Sequence, residues 1–259
     1  MSRRCFAHVT RLQILVGLSR PDSIRGMRGL FLIVRIAGAA LIVAAIVGQL
    51  VTSVGFWTGP AGLTDITTQF VNFFSFFTID SNVLTVVVFL IGAVCLIKGE
   101  SPEPRWFTIG RASVTAYMAT TGIVYNLLLR GIELPQGSTL AWSNEVLHVI
   151  APILMVLDWF FAPGRNRLEW KSIWVIVAFP LVWGVYTLIR GPLVFDAVSD
   201  KEYWYPYPFM NPNIAPEGYF TVAFYLVLIA GIIGGVGALV IWVSRRPNAR
   251  WPLPAAAKK

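Results

Sequence analysis

Six runs of predominantly apolar residues, 29–54, 72–97, 109–129, 143–161, 172–189 and 219–243, dominate the chain. A hydrocarbon core of about 30 Å takes about 20 such residues in a helix. Lipid offers no partner for a backbone N–H or C=O, so a run of this length inside it must be helical. The pattern therefore predicts an all-α polytopic membrane protein with six transmembrane helices. Composition agrees: 56% of residues are hydrophobic and 13% charged, about half the charged share of a soluble domain.

The net charge of +8 marks topology rather than nucleic-acid binding. All but four of the Lys and Arg residues fall in the N-terminal tail, in the loops after the second and fourth runs with Arg111 at the start of the third, or in the C-terminal tail. The exceptions are Arg35, inside the first run, and Arg130, Arg190 and Lys201. Basic residues accumulate on the cytoplasmic side, so both termini are expected there, in a multi-pass protein of the cell membrane. Residues 1–28 read as a basic, disordered tail without a signal-peptide cleavage site, with Met27 as an alternative start. Residues 29–245 form the transmembrane domain, and 246–259 a C-terminal tail. Cys5 and Cys95 are too few for a disulfide framework or a zinc cluster.

Polar groups inside lipid are costly and mark function. At 100° per residue, Ser75, Thr78, Asn82 and Thr85 of the second run share a face within about 80°. Asp80 points nearly the opposite way. Such a stripe also serves as hydrogen-bonding glue between helices. The fourth run holds His148, with Glu145 one turn earlier on the same face. Pro152 cannot donate to the carbonyl of His148, so the helix is expected to bend there and leave that carbonyl to another donor. At about 1.5 Å per residue, Thr78 and His148 both lie roughly 7–10 Å below the outer interface. A hydroxyl beside an imidazole, itself beside a carboxylate, is a nucleophile–base–orienter arrangement.

Two arginines stand on the outer side, where basic residues are scarce. Arg130 ends the third run and Arg190 the fifth, each followed by Gly. They read either as interfacial anchors or as holders of a carboxylate or phosphate. The long segment 190–218 contains Tyr203-Trp-Tyr-Pro206-Tyr-Pro208-Phe, an aromatic belt or a lid. No Walker, Rossmann, HExxH or GxSxG pattern occurs, one intramembrane His cannot ligate a two-His haem, and neither metal nor cofactor is expected.

Phe77-Thr78-x-x-Ser-Asn82, Leu147-His148-x-x-x-Pro152-x-x-x-x-x-Asp158-Trp159 and Tyr205-Pro-Tyr-Pro-Phe209 resemble the bacterial predicted six-transmembrane-helix family. That family looks like a distant relative of the androgen-induced, FAR-type membrane hydrolases of animals. The resemblance covers about residues 29–245. It implies hydrolysis of a lipid or fatty acyl ester, with Thr78 as nucleophile and His148 as base. Glu145 is then a candidate orienter, Asn82 or Asn126 a donor to the oxyanion, and Arg130 and Arg190 hold the substrate. The expected partners are the bilayer and that ester, not nucleic acid. The rival readings are a transporter or channel for a small organic anion and a non-catalytic scaffold.

Overall fold

A computed structural model describes residues 20–132 and 137–246. The helices in chain order are α1 (Arg20–Thr58), α2 (Ile66–Phe73), α3 (Phe77–Ile97), α4 (Arg105–Val124), α5 (Ala141–Glu145), α6 (Ala151–Phe161), α7 (Ser172–Arg190) and α8 (Tyr219–Arg245). Two π-helical turns interrupt them: Tyr125–Leu129 continues α4, and Val146–Ile150 joins α5 to α6. Among the described residues six helical stretches are long and apolar enough to cross a membrane, Ala141–Phe161 counting as one. The all-helical, six-span expectation is met.

The bundle is built around α4, which packs against α3, α6, α7 and α8. In its span 61% of the most apolar window is buried, against 17% for the α7 span. Its sequence explains the position. Ala112, Ser113, Thr115, Ala116, Thr120 and Thr121 are small or hydroxylated and buried, the composition that lets helices approach closely in lipid. The spans around it turn large apolar side chains such as Trp174, Val182 and Phe224 outward, as lipid-facing helices do.

Two boundaries differ from the sequence pattern. The first helix begins at Arg20, so its first turns extend into the expected tail; residues 1–19 and 247–259 lie outside the described residues. The second run is not one helix. It breaks between Phe73 and Phe77, where Trp183 Nε1 donates to the Ser75 carbonyl at 3.0 Å and the Ser75 and Tyr186 hydroxyls meet at 2.9 Å. Side chains of α7 thus take up the polar groups that the break exposes, and Ser75 leaves the stripe; Thr78, Asn82 and Thr85 remain buried on α3.

At the end of the bundle that carries the chain termini, four charged side chains form a closed knot. Arg35 of α1 donates from Nε to Asp158 Oδ1 at 2.8 Å and from Nη2 to Oδ2 at 3.1 Å. Arg111 of α4 donates from Nε to Asp158 Oδ2 at 2.7 Å and from Nη1 to Glu103 Oε2 at 3.1 Å. All four residues are at most 3% exposed. Arg35 Nη1 also donates to the Gly92 carbonyl at 2.6 Å, and a Cβ at Gly92 would lie 2.5 Å from that nitrogen. Glycine is therefore required at 92 for the guanidinium to reach the α3 backbone. Two cations and two anions cancel, and the bidentate geometry offsets their desolvation. The knot ties α1, α3, α4 and α6 together.

At the opposite end, residues 191–218 fold back into the bundle instead of lying over it. A short antiparallel bridge joins Asp196 and Lys201, and a 3-10 turn at Pro208–Met210 follows Tyr207. Tyr207 and Met210 are buried.

Candidate functional site

The site lies at the loop end, between α3, the two π turns and the returning loop. Thr78 is the second residue of α3. No side chain caps that helix start, so the Thr78 N–H has no intrahelical acceptor. The loop supplies one: the Tyr207 hydroxyl accepts from Thr78 N at 3.3 Å and lies 3.3 Å from Thr78 Oγ1. Tyr207 is held by a ring stacked on Phe209 at 5.1 Å and by edge contact with Phe76 at 5.7 Å. Burial pushes its phenol up to about 12, so the hydroxyl keeps its proton at any ordinary pH.

His148 sits inside the second π turn. Its Nδ1 is 2.9 Å from the carbonyl oxygen of Asn144. A carbonyl only accepts, so Nδ1 carries the proton and Nε2 keeps its lone pair. The ring stacks on Tyr125 of the first π turn, with centroids 4.0 Å apart. Asn144 Nδ2 donates to the Tyr125 hydroxyl. The two π turns therefore face each other, and their contact fixes the imidazole. π turns inside helices occur disproportionately at functional sites.

The π turn also moves the consequence of Pro152. In an i→i+5 register the Ala151 N–H bonds to the Val146 carbonyl, and the carbonyl facing residue 152 is that of Leu147, not His148. Pro152 has no N–H to give. Asn82 Nδ2 fills the place, donating to Leu147 O at 3.1 Å and to Thr78 O at 2.8 Å. The expectation of a free carbonyl was right in kind but one residue off, because it assumed an α register.

Asn82 thus bridges the helix of Thr78 and the span of His148 through the backbone of each. Its amide protons are committed, so it is not placed as an oxyanion donor. Asn126 is not either: it is exposed and donates to Gly122 O at 2.8 Å, in a groove that His148 lines and Thr78 does not. Glu145 does not touch the imidazole. Its carboxylate takes Arg130, whose guanidinium also lies over the Tyr125 ring at 5.6 Å. Both members of that pair are about half exposed. Arg190 is placed differently, donating from Nη2 to Asn72 Oδ1 at 2.8 Å over the Trp204 ring at 5.2 Å.

Two cavities meet at Thr78. One, of about 430 Å³, opens at the loop end; Thr78 and His148 both line it, with Gln69, Asn72, Asn144 and Tyr207. No hydrogen bond joins Thr78 to His148. The other, of about 220 Å³, is an apolar slot between α4, α7 and α8. Leu181 and Val185 line this slot and are more than half exposed, so it reaches the apolar outer surface of the bundle. Thr78, Tyr125, Leu129 and Tyr207 line both spaces. The arrangement admits a molecule with a polar end in one space and an apolar chain in the other, its junction beside the Thr78 hydroxyl.

Sequence reasoning singled out Thr78 and His148, which line one cavity, but missed what holds them. Tyr207 was legible only as one aromatic of the Tyr-Pro-Tyr-Pro-Phe segment. Arg35, Arg111 and Asp158 carried a plainer signal, charges within or bordering apolar runs. Among the described residues no group of His, Cys, Asp and Glu is arranged to hold a metal ion. Compared with family models, curated proteins and solved structures, the chain matches none.

Proposed function

We propose that this protein is an integral membrane hydrolase of lipid or fatty acyl esters, acting in the outer leaflet of the cell membrane with both termini cytoplasmic. The observation that carries the proposal is the position of Thr78, a buried hydroxyl at the meeting point of a polar cavity and an apolar slot that reaches the outer surface of the bundle. A membrane ester has this same division, and its carbonyl lies at the division. The proposal also draws on the motif resemblance around Thr78, Asn82, His148 and Pro152.

In the proposed reaction Thr78 Oγ1 attacks the ester carbonyl and its proton passes to Nε2 of His148, directly or through one water. The oxyanion accepts from the Tyr207 hydroxyl, and from Thr78 N–H only once the substrate oxygen displaces the phenol oxygen to which that N–H now donates. The tetrahedral intermediate collapses to an acyl-threonine, and the alcohol leaves with the proton from His148. Water then repeats the sequence and frees the acid. The Asn144 carbonyl, rather than Glu145, orients the imidazole.

A scaffold would need no cavity beside Thr78, and two border it. The test is turnover of a long-chain acyl ester by the purified full chain. Esterase activity that survives Thr78→Ala would remove the proposal.

A further inference from the structure

A second feature of the larger cavity lies away from the reacting atoms. Gln69 and Asn72, one turn apart on α2, line it and are each 3% exposed. Gln69 Nε2 and Asn72 Nδ2 have no hydrogen-bond partner, and neither has Nη1 of Arg190. The three nitrogens belong to one neighbourhood, since Arg190 Nη2 holds Asn72 Oδ1 and its guanidinium lies over Trp204, another cavity residue. Among the described residues no carboxylate pairs with Arg190, whereas Glu145 neutralises Arg130. Asp196 also lines the cavity, but its Oδ1 accepts from Val198 N at 3.1 Å and Ser199 N at 3.4 Å.

Every unpaired group in this cluster is a donor, and its one charge is positive. Leaving a buried donor unpaired costs about 1–3 kcal/mol, more where it is charged. The chemistry that satisfies all three at once is an oxyanion. We infer that Gln69, Asn72 and Arg190 form a subsite for the anionic end of an amphiphile, a carboxylate or phosphate carried on the molecule whose chain enters the apolar slot. Gln69 and Asn72 lie in the cavity wall and Arg190 stands behind them, bonded to Asn72 and over Trp204, so the anion takes the three nitrogens by rotation of these side chains. This deepens the hydrolase reading, on which the substrate role rests, by naming the substrate's charged end; a free anion has no use for the slot.

The test is binding, which needs no turnover. Tetradecanoate, methyl tetradecanoate and inorganic phosphate are titrated calorimetrically into the full chain in nanodiscs, with empty nanodiscs subtracted. The acid should bind at least about tenfold more tightly than its methyl ester, because only the acid pairs with the donors. Arg190→Gln should weaken the acid about tenfold and leave the methyl ester unchanged, and Arg130→Gln should change neither. Gln69→Leu covers the case in which Arg190→Gln misfolds: it removes an unpaired donor, so it should keep or raise the Tm while weakening the acid several-fold. Equal binding of acid and methyl ester, or equal loss of both in Arg190→Gln, would overturn the subsite. Phosphate binding as tight as the acid's would overturn its assignment to an amphiphile. Acid binding that depends on Arg190 in a protein with no esterase activity would keep the subsite and reject the hydrolase.

Discussion

The smallest unit with chemical content here is the hydroxyl pair of Thr78 and Tyr207. Residues that act as one unit lose nearly everything singly. Thr78→Ala and His148→Ala should each lower ester turnover by at least about a thousandfold, and the double variant should be little worse. Steady-state rates on a long-chain acyl ester check this; a second large loss in the double variant would mean the two residues act independently. Tyr207→Phe separates the loop's chemistry from its packing. It keeps the ring on Phe209 and removes the donor, so kcat should fall about 10²–10³-fold with KM unchanged. A purely structural tyrosine would instead lower the Tm and leave kcat alone. Thr78 and His148 were legible in the sequence because a hydroxyl and an imidazole stand out in apolar runs at matching depth. Tyr207 was not, because it stands among several aromatics at a membrane interface and only the fold selects one.

At the level of elements, the site depends on two short departures from α geometry. The sequence signalled one of them through Pro152. It could not give the register, since a proline disturbs an α turn and a π turn alike, and the choice between them is made by contacts to Asn82 and Tyr125. The assignment has a measurable consequence. Asn82→Leu leaves the Leu147 carbonyl unpaired and should cost about 1–3 kcal/mol. In a Pro152→Ala background the chain regains an N–H for that carbonyl, so the same substitution should cost about 1 kcal/mol less. Denaturant unfolding of the four proteins in detergent measures the coupling. Additive costs would show that Asn82 stabilises by packing and that the two spans are not joined through Leu147. Span ends were legible to within a few residues, except at Arg20, where the first helix starts in the expected tail, and at Phe73–Phe77, where the break is set by Trp183 and Tyr186 from a helix more than a hundred residues away.

For the whole molecule, the six-span bundle followed from apolar run length alone, but the order of packing did not. What places α4 at the centre is its small and hydroxylated side chains and the single charge it carries inward. Asp158→Asn would leave two cations, Arg35 and Arg111, against the single anion Glu103, and breaking a buried pair costs about 3–5 kcal/mol. Folded yield and Tm should drop sharply. Removing the solvent-exposed Arg105–Glu169 pair should barely move either, and equal effects from the two substitutions would deny the knot its structural weight. Arg111 also bears on how the chain is made. Its span has the lowest mean hydropathy of the six, 1.2, and an arginine in an inserting helix carries a penalty that reaches about 2.5–3.5 kcal/mol at the helix centre and is smaller toward the end, where Arg111 lies. The carboxylate that relieves it, Asp158, is synthesised 47 residues later. A nascent chain cut after residue 132 should therefore insert its third span less efficiently than one extended past Asp158, and equal insertion of the two would show that Glu103 alone relieves the arginine.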